Sequence, residues 1–314
     1  MKLEISVITP CYNEEASVTE CVERTLRVFN QELPGVKFEH IFCDNASTDK
    51  TFEILEKLAG KYPHVKVVRN SRNVGAFRNM YRGLEKASGE AIIPMLPADL
   101  QDPPEVIPAL YQEWKKGFLV VFGVRTNRQE SLLMRILRGI YYRIIRRFAE
   151  GEIPINSGEF MLIDKKIAGP IVALQDYYPY IRGLVAQSVS TSASVPYTWE
   201  KRKAGKSKAN FIALLDQAIN GLISTSRVPA RLALISGFIF SGIGVLTGLW
   251  SLIANLFFNT GAIHGIPTIV VALFLFGGIQ IFFLGLIGEY VLSIHAQVRP
   301  LPKAFDAKTI NFKA

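Results

Sequence analysis

Residues 91–105 read AIIPMLPADLQDPPE, so an apolar stretch leads directly into a turn with polar side chains. The apolar residues predict a buried strand, and Asp99, Gln101 and Asp102 follow it. Ligands of a helix-covered sheet bind beyond the carboxyl ends of its strands. Because oxygen ligands suit a hard divalent ion on a nucleotide diphosphate, we expect Asp99 and Gln101 to bind Mg²⁺ or Mn²⁺. Asp102 either contributes to the same site or caps the helix that follows.

Outward from this turn, residues 3–124 alternate between short β-branched stretches and amphipathic stretches, which is typical of a parallel sheet covered by helices. The predicted strands cover residues 5–9, 38–43, 65–68, 91–95 and 119–123. The predicted helices cover residues 16–29, 50–61, 76–86 and 105–116. Neither a dinucleotide-binding glycine motif nor a Walker lysine loop follows the first strand. The sequence therefore predicts an α/β, Rossmann-like nucleotide-binding domain of another type.

Two further turns should meet the first one at the same edge of the sheet. The turn after the first strand offers Pro10, Tyr12 and Glu14, which we expect to wall a nucleobase. Asp44 ends the second strand and is predicted to accept hydrogen bonds from a base or ribose, although Asp is also common in turns and caps. Asp49, just before the second helix, is interpreted as a capping residue.

Two long apolar segments, residues 232–258 and 266–292, carry no charge except Glu289. Each exceeds the roughly 20 residues that cross a bilayer, so two transmembrane helices are predicted. The 314-residue chain is 49% hydrophobic, which fits one soluble domain with a membrane portion. Residues 1–10 begin a strand and show no signal peptide pattern. Basic residues flank the paired segments and are absent from residues 259–265, so both termini should be cytoplasmic.

These patterns divide the chain into a catalytic domain (1–209), a juxtamembrane interfacial helix (210–231), two spans (232–292) and a cytoplasmic tail (293–314). Residues 131–149 predict a basic amphipathic helix on the membrane surface, or alternatively a solvated basic face on the sheet. Residues 202–208 form a second basic segment, which as a charge pattern alone is typical of solvent or anionic lipid. The three cysteines are too scattered for a zinc site and are expected to be buried thiols.

Several motifs together carry a family resemblance: VITPCYNEE (7–15), DNASTD (44–49), NVGA (73–76), ADLQDPPE (98–105) and the paired spans with LIGEY (286–290). The combination resembles the polyprenyl-phosphate glycosyltransferases of inverting glycosyltransferase family 2. These include dolichyl-phosphate mannose synthase and bacterial enzymes that charge undecaprenyl phosphate. The resemblance covers nearly the whole chain and implies a GT-A fold.

The resemblance implies transfer of a sugar from a nucleotide donor, UDP-linked in our prediction, to a polyprenyl phosphate with inversion and a divalent metal. It implies roles for further residues. Asp99 and Arg125 are implied in catalysis, and Asn73 and Ala98 in nucleotide binding. Arg125 is also implied on the acceptor phosphate with Arg128 and Arg135 as helpers, and Arg202, Lys206 and Lys208 in a basic loop near the diphosphate. The expected setting is a bacterial inner membrane, with a homo-oligomer and without a nucleic-acid partner.

The chain departs from the family pattern at several positions. Asn45 and Ala46 replace an Asp-Gly pair, and Pro97 replaces the first acid of an Asp-x-Asp motif. Glu159 and Met161 stand where the family more often has Asp and Arg. We expect the changes to reshape a donor-sugar pocket that includes Glu159 and Asp102, and to favour a donor other than plain glucose or mannose.

Two other functions fit part of the sequence. A catalytically silent relative that binds its ligands as a scaffold would explain Pro97, Glu159 and Met161, but not why the set of ligand-binding side chains is present. A processive polysaccharide synthase is disfavoured, because the chain has two predicted spans and lacks a Gln-x-x-Arg-Trp motif.

Overall fold

The computed structural model describes residues 3–126, 153–177, 179–200, 228–258, 266–299 and 305–312. The chain forms two compact units, one of Met1–Thr225 with Leu301–Ala314 and one of Ser226–Pro300. The predicted basic helix, the basic loop and all but the last four residues of the predicted interfacial helix (210–231) lie outside the described residues, and so do five predicted site residues. These are Arg128, Arg135, Arg202, Lys206 and Lys208.

The first unit alternates strands and helices. Its strands are β1 (Ile5–Cys11), β2 (Phe38–Asp44), β3 (Val65–Asn70), β4 (Ala91–Ile93), β5 (Val120–Arg125), β6 (Ser157–Asp164), β7 (Ala193–Tyr197) and β8 (Asp306–Ile310). Its helices are α1 (Val18–Glu32), α2 (Thr51–Lys61), α3 (Ala76–Lys86), α4 (Ile107–Lys115, after a 3₁₀ turn at Pro104–Val106), α5 (Lys165–Ala173) and α6 (Ile181–Gln187). The predicted elements of residues 3–124 are confirmed, with small shifts at their ends.

The eight strands form one sheet in the order β7-β5-β6-β4-β1-β2-β3-β8. The strands β4, β1, β2 and β3 pair in parallel, as predicted. Strands outside residues 3–124 make the sheet mixed, because β6 is antiparallel to both β4 and β5, and β8 is antiparallel to β3. The fold is therefore a Rossmann-like α/β domain with a mixed sheet.

Apolar side chains of the strands fill two layers, because successive residues of a strand point to opposite faces. Phe42 packs in the layer of α1, α2 and α4, whereas Ile41 and Cys43 pack in the layer of α3, α5 and α6. The helices match this arrangement: α1 buries residues spaced by three or four positions, namely Val18, Cys21, Thr25 and Phe29. All three cysteines are buried free thiols, which confirms their predicted packing role.

The C-terminal segment, predicted as a cytoplasmic tail (293–314), contributes a strand to the sheet. β8 pairs with β3 from Val67↔Ile310 to Asn70↔Asp306. The Asp306 carboxylate forms ion pairs with Arg82 and Lys86 of α3, which hold the added strand at the edge of the sheet. The chain thus returns to the first unit after leaving it.

The second unit consists of two long apolar helices, α7 (Val228–Phe258) and α8 (Ile266–Val298). The rings of Phe240 and Phe276 meet edge to face, with centroids 5.7 Å apart. Large apolar side chains are exposed on both helices, including Phe238 and Ile281 at 73% each. Among the described residues, Leu275–Val298 is the one segment long and apolar enough to cross a membrane, and the apolar segment Leu234–Gly244 of α7 is shorter.

Candidate functional site

The loops after β1 and β2 are joined side by side at the carboxyl edge of the sheet. Cys11 and Asp44, the last residues of the two strands, are register partners. Asn13 adopts a positive φ of 54°, and its backbone N–H donates to Ser47 Oγ at 3.0 Å. The Asn13 side chain accepts from Thr48 N at 2.8 Å. These bonds hold the loop that contains Pro10, Tyr12 and Glu14 against the loop that follows Asp44.

Asp49 contacts the start of α2 as predicted, although Lys50 and not Asp49 is the N-cap residue. Asp49 Oδ1 accepts a hydrogen bond from the Thr51 backbone N–H at 3.0 Å, at the first residue of α2. Asp49 Oδ2 accepts from Glu15 N at 3.3 Å, so the same side chain also ties the first loop to the second.

Asp44 is fully buried, and its carboxylate is only partly bonded. Oδ1 accepts from Ser47 N at 3.3 Å. Arg69 Nε lies 3.3 Å from Oδ2, but no described residue donates a hydrogen bond to Oδ2. Burial raises the pKa of this carboxyl above its ordinary value, against the hydrogen bonds from Ser47 and the charge of Arg69. A buried acceptor left open in this way is suited to a donor group of a ligand.

Four asparagines form a network beside Asp44 that joins the ends of β2 and β3 to α3. Asn45 Oδ1 accepts from Val74 N at 2.9 Å and from Asn70 at 3.2 Å, and Asn45 Nδ2 donates to Asn73 Oδ1 at 2.8 Å. Asn79 Nδ2 donates to Cys43 O at 2.7 Å. Because the Asn73 carbonyl is used here, Asn73 shapes the predicted nucleotide site through its neighbours.

Asp99 and Gln101 lie in the tight turn after β4, as predicted. Asp99 Oδ1 accepts from Gln101 N at 3.2 Å, and Leu100 between them has a positive φ of 58°. Ala98 is buried, and the Asp99 side chain is partly exposed. No cluster of three or more His, Cys, Asp or Glu side chains occurs within the described ranges. One carboxylate and one amide nevertheless fit Mg²⁺ or Mn²⁺, because such ions are commonly held by one or two protein groups with phosphates and water.

Asp102 pairs with Arg125, so the alternative that it caps the following helix is wrong. The 3₁₀ turn begins after Pro103 without a side-chain cap. Arg125 Nε and Nη2 donate to the two Asp102 oxygens at 3.0 and 2.8 Å, and Tyr197 Oη donates to Oδ1 at 2.5 Å. The pair is buried, and the adjacent Asp102 charge raises the Arg125 pKa despite desolvation.

Glu159 lies on β6 in a second buried polar group. Its Oε1 is 3.7 Å from Arg182 Nε, and no described residue donates to its Oε2. Burial raises the Glu159 pKa, opposed by the charges of Arg182 and Arg125. Arg182 itself donates to Ser157 O at 2.6 Å and to Tyr180 Oη at 2.7 Å. Glu159 and Asp102 are thus both electrostatically linked to Arg125, and their assignment to a donor-sugar pocket stays a prediction.

The sequence did not indicate Tyr197, Arg182 or the asparagine network. Tyr197 reaches Asp102 because β7 pairs with β5 and places Tyr197 opposite Arg125. No short motif marks such a pairing, since it joins residues that are far apart along the chain. A signal for Arg182 was available: an arginine at the start of an apolar helix needs a carboxylate partner when it is buried.

Comparison of the sequence with known proteins adds independent evidence about the family of this chain. The model of the glycosyl transferase family 2 matches residues 6–171, more than half of the chain. An uncharacterized glycosyltransferase of Bacillus subtilis (strain 168) is 33% identical over 301 residues, which cover 96% of this chain and 92% of the relative.

Two relatives have more specific names. A bactoprenol glucosyl transferase of Shigella phage SfII is 32% identical over 308 residues, which cover 98% of each chain. An undecaprenyl-phosphate 4-deoxy-4-formamido-L-arabinose transferase of Pectobacterium atrosepticum is 30% identical over 309 residues, which cover 98% of this chain and 94% of the relative.

Proposed function

The chain belongs to glycosyltransferase family 2, and we propose that it transfers a sugar from a nucleotide donor, UDP-linked, to a polyprenyl phosphate. One arrangement carries the proposal: the sheet edge with the partly bonded Asp44 carboxylate also holds Arg125, in a chain that continues into two long apolar helices. The Asp44 carboxylate suits a nucleotide, Arg125 suits an anionic group, and the apolar helices suit a lipid. Relatives named for bactoprenol and undecaprenyl phosphate, matched along almost the whole chain, support the same acceptor.

The reaction needs no dedicated general base. An oxygen of the acceptor phosphate attacks the anomeric carbon, and the bond from that carbon to the nucleotide diphosphate breaks with inversion. The diphosphate leaves with the electron pair. A phosphate monoester with a second pKa of about 6 is already ionised at neutral pH, so no proton has to be removed from the nucleophile. The protein has to position the acceptor and to neutralise the leaving diphosphate.

In this proposal the turn of Asp99 and Gln101 holds a divalent ion, which acts as a Lewis acid on the diphosphate. Pro97 leaves Asp99 as the single acid of the motif, so the diphosphate and water must supply most other ligands. Manganese binding in the presence of UDP, followed by electron paramagnetic resonance, should weaken in Asp99→Ala and strengthen in Pro97→Asp. Unchanged binding in both variants would argue against an ion at this turn.

We further propose that both long helices cross the membrane. The chain leaves the first unit before α7 and rejoins it at β8, so α7 and α8 must cross an even number of times in total. Since a segment of α8 is long and apolar enough to span, α7 is the natural return partner. The catalytic unit and both termini then share one side, the cytoplasm of a bacterial cell.

Labelling with a membrane-impermeant maleimide tests this topology, because the three natural cysteines are buried. Asn259→Cys, between the helices, should be labelled from outside intact cells, whereas Ala314→Cys should be labelled only after lysis. Labelling of both positions from the same side of the membrane would contradict two spans.

The transferase itself is tested with the purified full-length protein, undecaprenyl phosphate, Mg²⁺ and a panel of UDP- and GDP-sugars. Mass spectrometry should detect a lipid-linked monosaccharide that disappears with chelator and in Asp99→Ala. Glu56→Gln, which alters an exposed ion pair with Lys308, serves as the control and should keep full activity. Absence of product with every donor, together with measurable binding of UDP or undecaprenyl phosphate, would favour the scaffold function.

A further inference from the structure

Arg125 keeps one nitrogen uncommitted within a buried ion pair. Its Nε and Nη2 face the Asp102 carboxylate, and Nε also lies 3.1 Å from Tyr197 Oη. Nη1 donates to none of the described residues. The Arg125 side chain is 17% exposed, so this largely buried cation keeps some contact with solvent.

The guanidinium is also confined by its neighbours. A Cβ built on Gly158 would lie 2.9 Å from Arg125 Nη2 and 3.2 Å from Cζ, closer than packed atoms normally approach. Arg125 Cζ lies over the Trp199 ring, 5.3 Å from its centroid. The absence of a side chain at position 158 therefore lets the plane of the guanidinium rest against β6.

Both carboxylate oxygens of Asp102 accept hydrogen bonds within this cluster. Its two oxygens receive three hydrogen bonds, two from Arg125 and one from Tyr197. Tyr197 is opposite Arg125 in the β5–β7 pairing, and Thr126 N donates to Tyr197 O at 2.9 Å. A carboxylate engaged on both oxygens in this way is more suited to hold Arg125 than to bind a ligand.

We propose that Asp102, Tyr197 and Gly158 are positioning residues that fix Arg125 with Nη1 as its donor toward an anionic group of the acceptor. The proposal rests on the proposed function and deepens it by assigning how the acceptor phosphate is oriented. Bidentate contact to Asp102 removes the rotational freedom of the guanidinium, so its remaining N–H groups have a set direction. Asp102 accordingly acts through Arg125 and does not touch the sugar.

Three variants of the full-length enzyme test the proposal. Asp102→Asn weakens the charged fork, and Gly158→Ala displaces the guanidinium without a change of charge. Each should raise the KM for undecaprenyl phosphate about tenfold or more, because small displacements of a positioning group are costly. Tyr197→Phe removes one hydrogen bond and should raise the same KM by about threefold. The dissociation constant for UDP should remain within about twofold in all three.

Tyr111→Phe is the matched control for Tyr197→Phe. Tyr111 Oη also donates to a carboxylate, that of Glu4, which directly precedes β1 at the opposite edge of the sheet. This variant should leave both constants unchanged, and thermal melting should show that all variants are folded.

A lower KM for undecaprenyl phosphate in Asp102→Asn would overturn the proposal, because Asp102 would then compete with the phosphate. Equal losses of UDP and acceptor binding would overturn it as well, since they would indicate a general structural role. The proposed function fails separately: the wild-type protein would then form no lipid-linked sugar with any donor, whatever the variants do.

Discussion

Asp44 and Asp102 are both buried aspartates at the carboxyl edge of one sheet, yet their surroundings differ. Asp102 receives three hydrogen bonds from Arg125 and Tyr197. Asp44 accepts hydrogen bonds from Ser47, and its second oxygen lacks a donor among the described residues. Desolvation without full compensation raises the Asp44 pKa.

This difference in hydrogen bonding indicates different roles for the two aspartates. A buried carboxylate oxygen without a hydrogen-bond donor lowers the stability of the fold, and a bound ligand that donates to it can recover this free energy. A carboxylate that is bonded on both oxygens contributes to the stability of the folded structure directly. We therefore assign Asp44 to the nucleotide and Asp102 to the positioning of Arg125. Substitutions of Asp44 and of Asp102 should therefore change different measured quantities.

The largest expected effect is the loss of stability in Asp102→Ala. Removal of one partner from a buried ion pair typically costs about 3–5 kcal/mol, because the Arg125 charge would remain buried without compensation. Asp44→Ala should change stability by less than about 1 kcal/mol, since it removes a carboxylate that is poorly bonded. Thermal melting in detergent compares the two variants. Equal losses would remove the distinction between the aspartates.

A second effect concerns Asn45, the neighbour of Asp44. Asn45→Asp restores the residue that the family more often has, but it removes the donor to Asn73 Oδ1, 2.8 Å away, and places two oxygens together. We expect a loss of about 1–3 kcal/mol in the free energy of unfolding. Asn45→Asp combined with Asn73→Ala should lose less than the sum of the single variants. An increase in stability for Asn45→Asp alone would contradict the network described here.

The pH dependence of stability gives a smaller but directional effect. The folded-state pKa of Asp44 lies above the ordinary value of 3.8. The proton is therefore bound more tightly in the folded state, and the associated stabilisation is lost as pH rises from 3.8 through the raised pKa. The wild type should thus lose stability relative to Asp44→Asn across that window when pH is raised. Melting curves from pH 4 to 7 measure this difference in stability between the two proteins. A gain in the relative stability of the wild type with rising pH would contradict the raised pKa of Asp44.

The smallest effect is expected at the exposed ion pair of Lys308 and Glu56, which joins β8 to α2. Lys308→Ala should cost less than about 1 kcal/mol, because exposed pairs contribute little. Asp306→Ala should cost more, since Asp306 pairs with both Arg82 and Lys86 and is less exposed. The reverse order in melting experiments would show that charge burial does not rank these contacts.

The elements of residues 3–124 could be predicted because their signals are local. The same holds for the positions of Asp44, the last residue of β2, and of Asp99, in the turn that follows β4. The strand β8 could not, since the five residues DAKTI (306–310) are short and polar, and their pairing partners lie far away in the sequence. Asp102 could be a cap or a site residue from its local sequence, and only the pairing with Arg125 distinguishes the two.

The most direct test of separate roles for the two aspartates compares Asp44→Asn with Asp102→Asn. In both variants the affinities for UDP and for undecaprenyl phosphate are measured side by side. Asp44→Asn should lose about 10- to 100-fold in UDP affinity and keep its affinity for the lipid, because only the nucleotide uses the open oxygen. Asp102→Asn should show the reverse pattern. Parallel losses of both ligands in both variants would contradict the account.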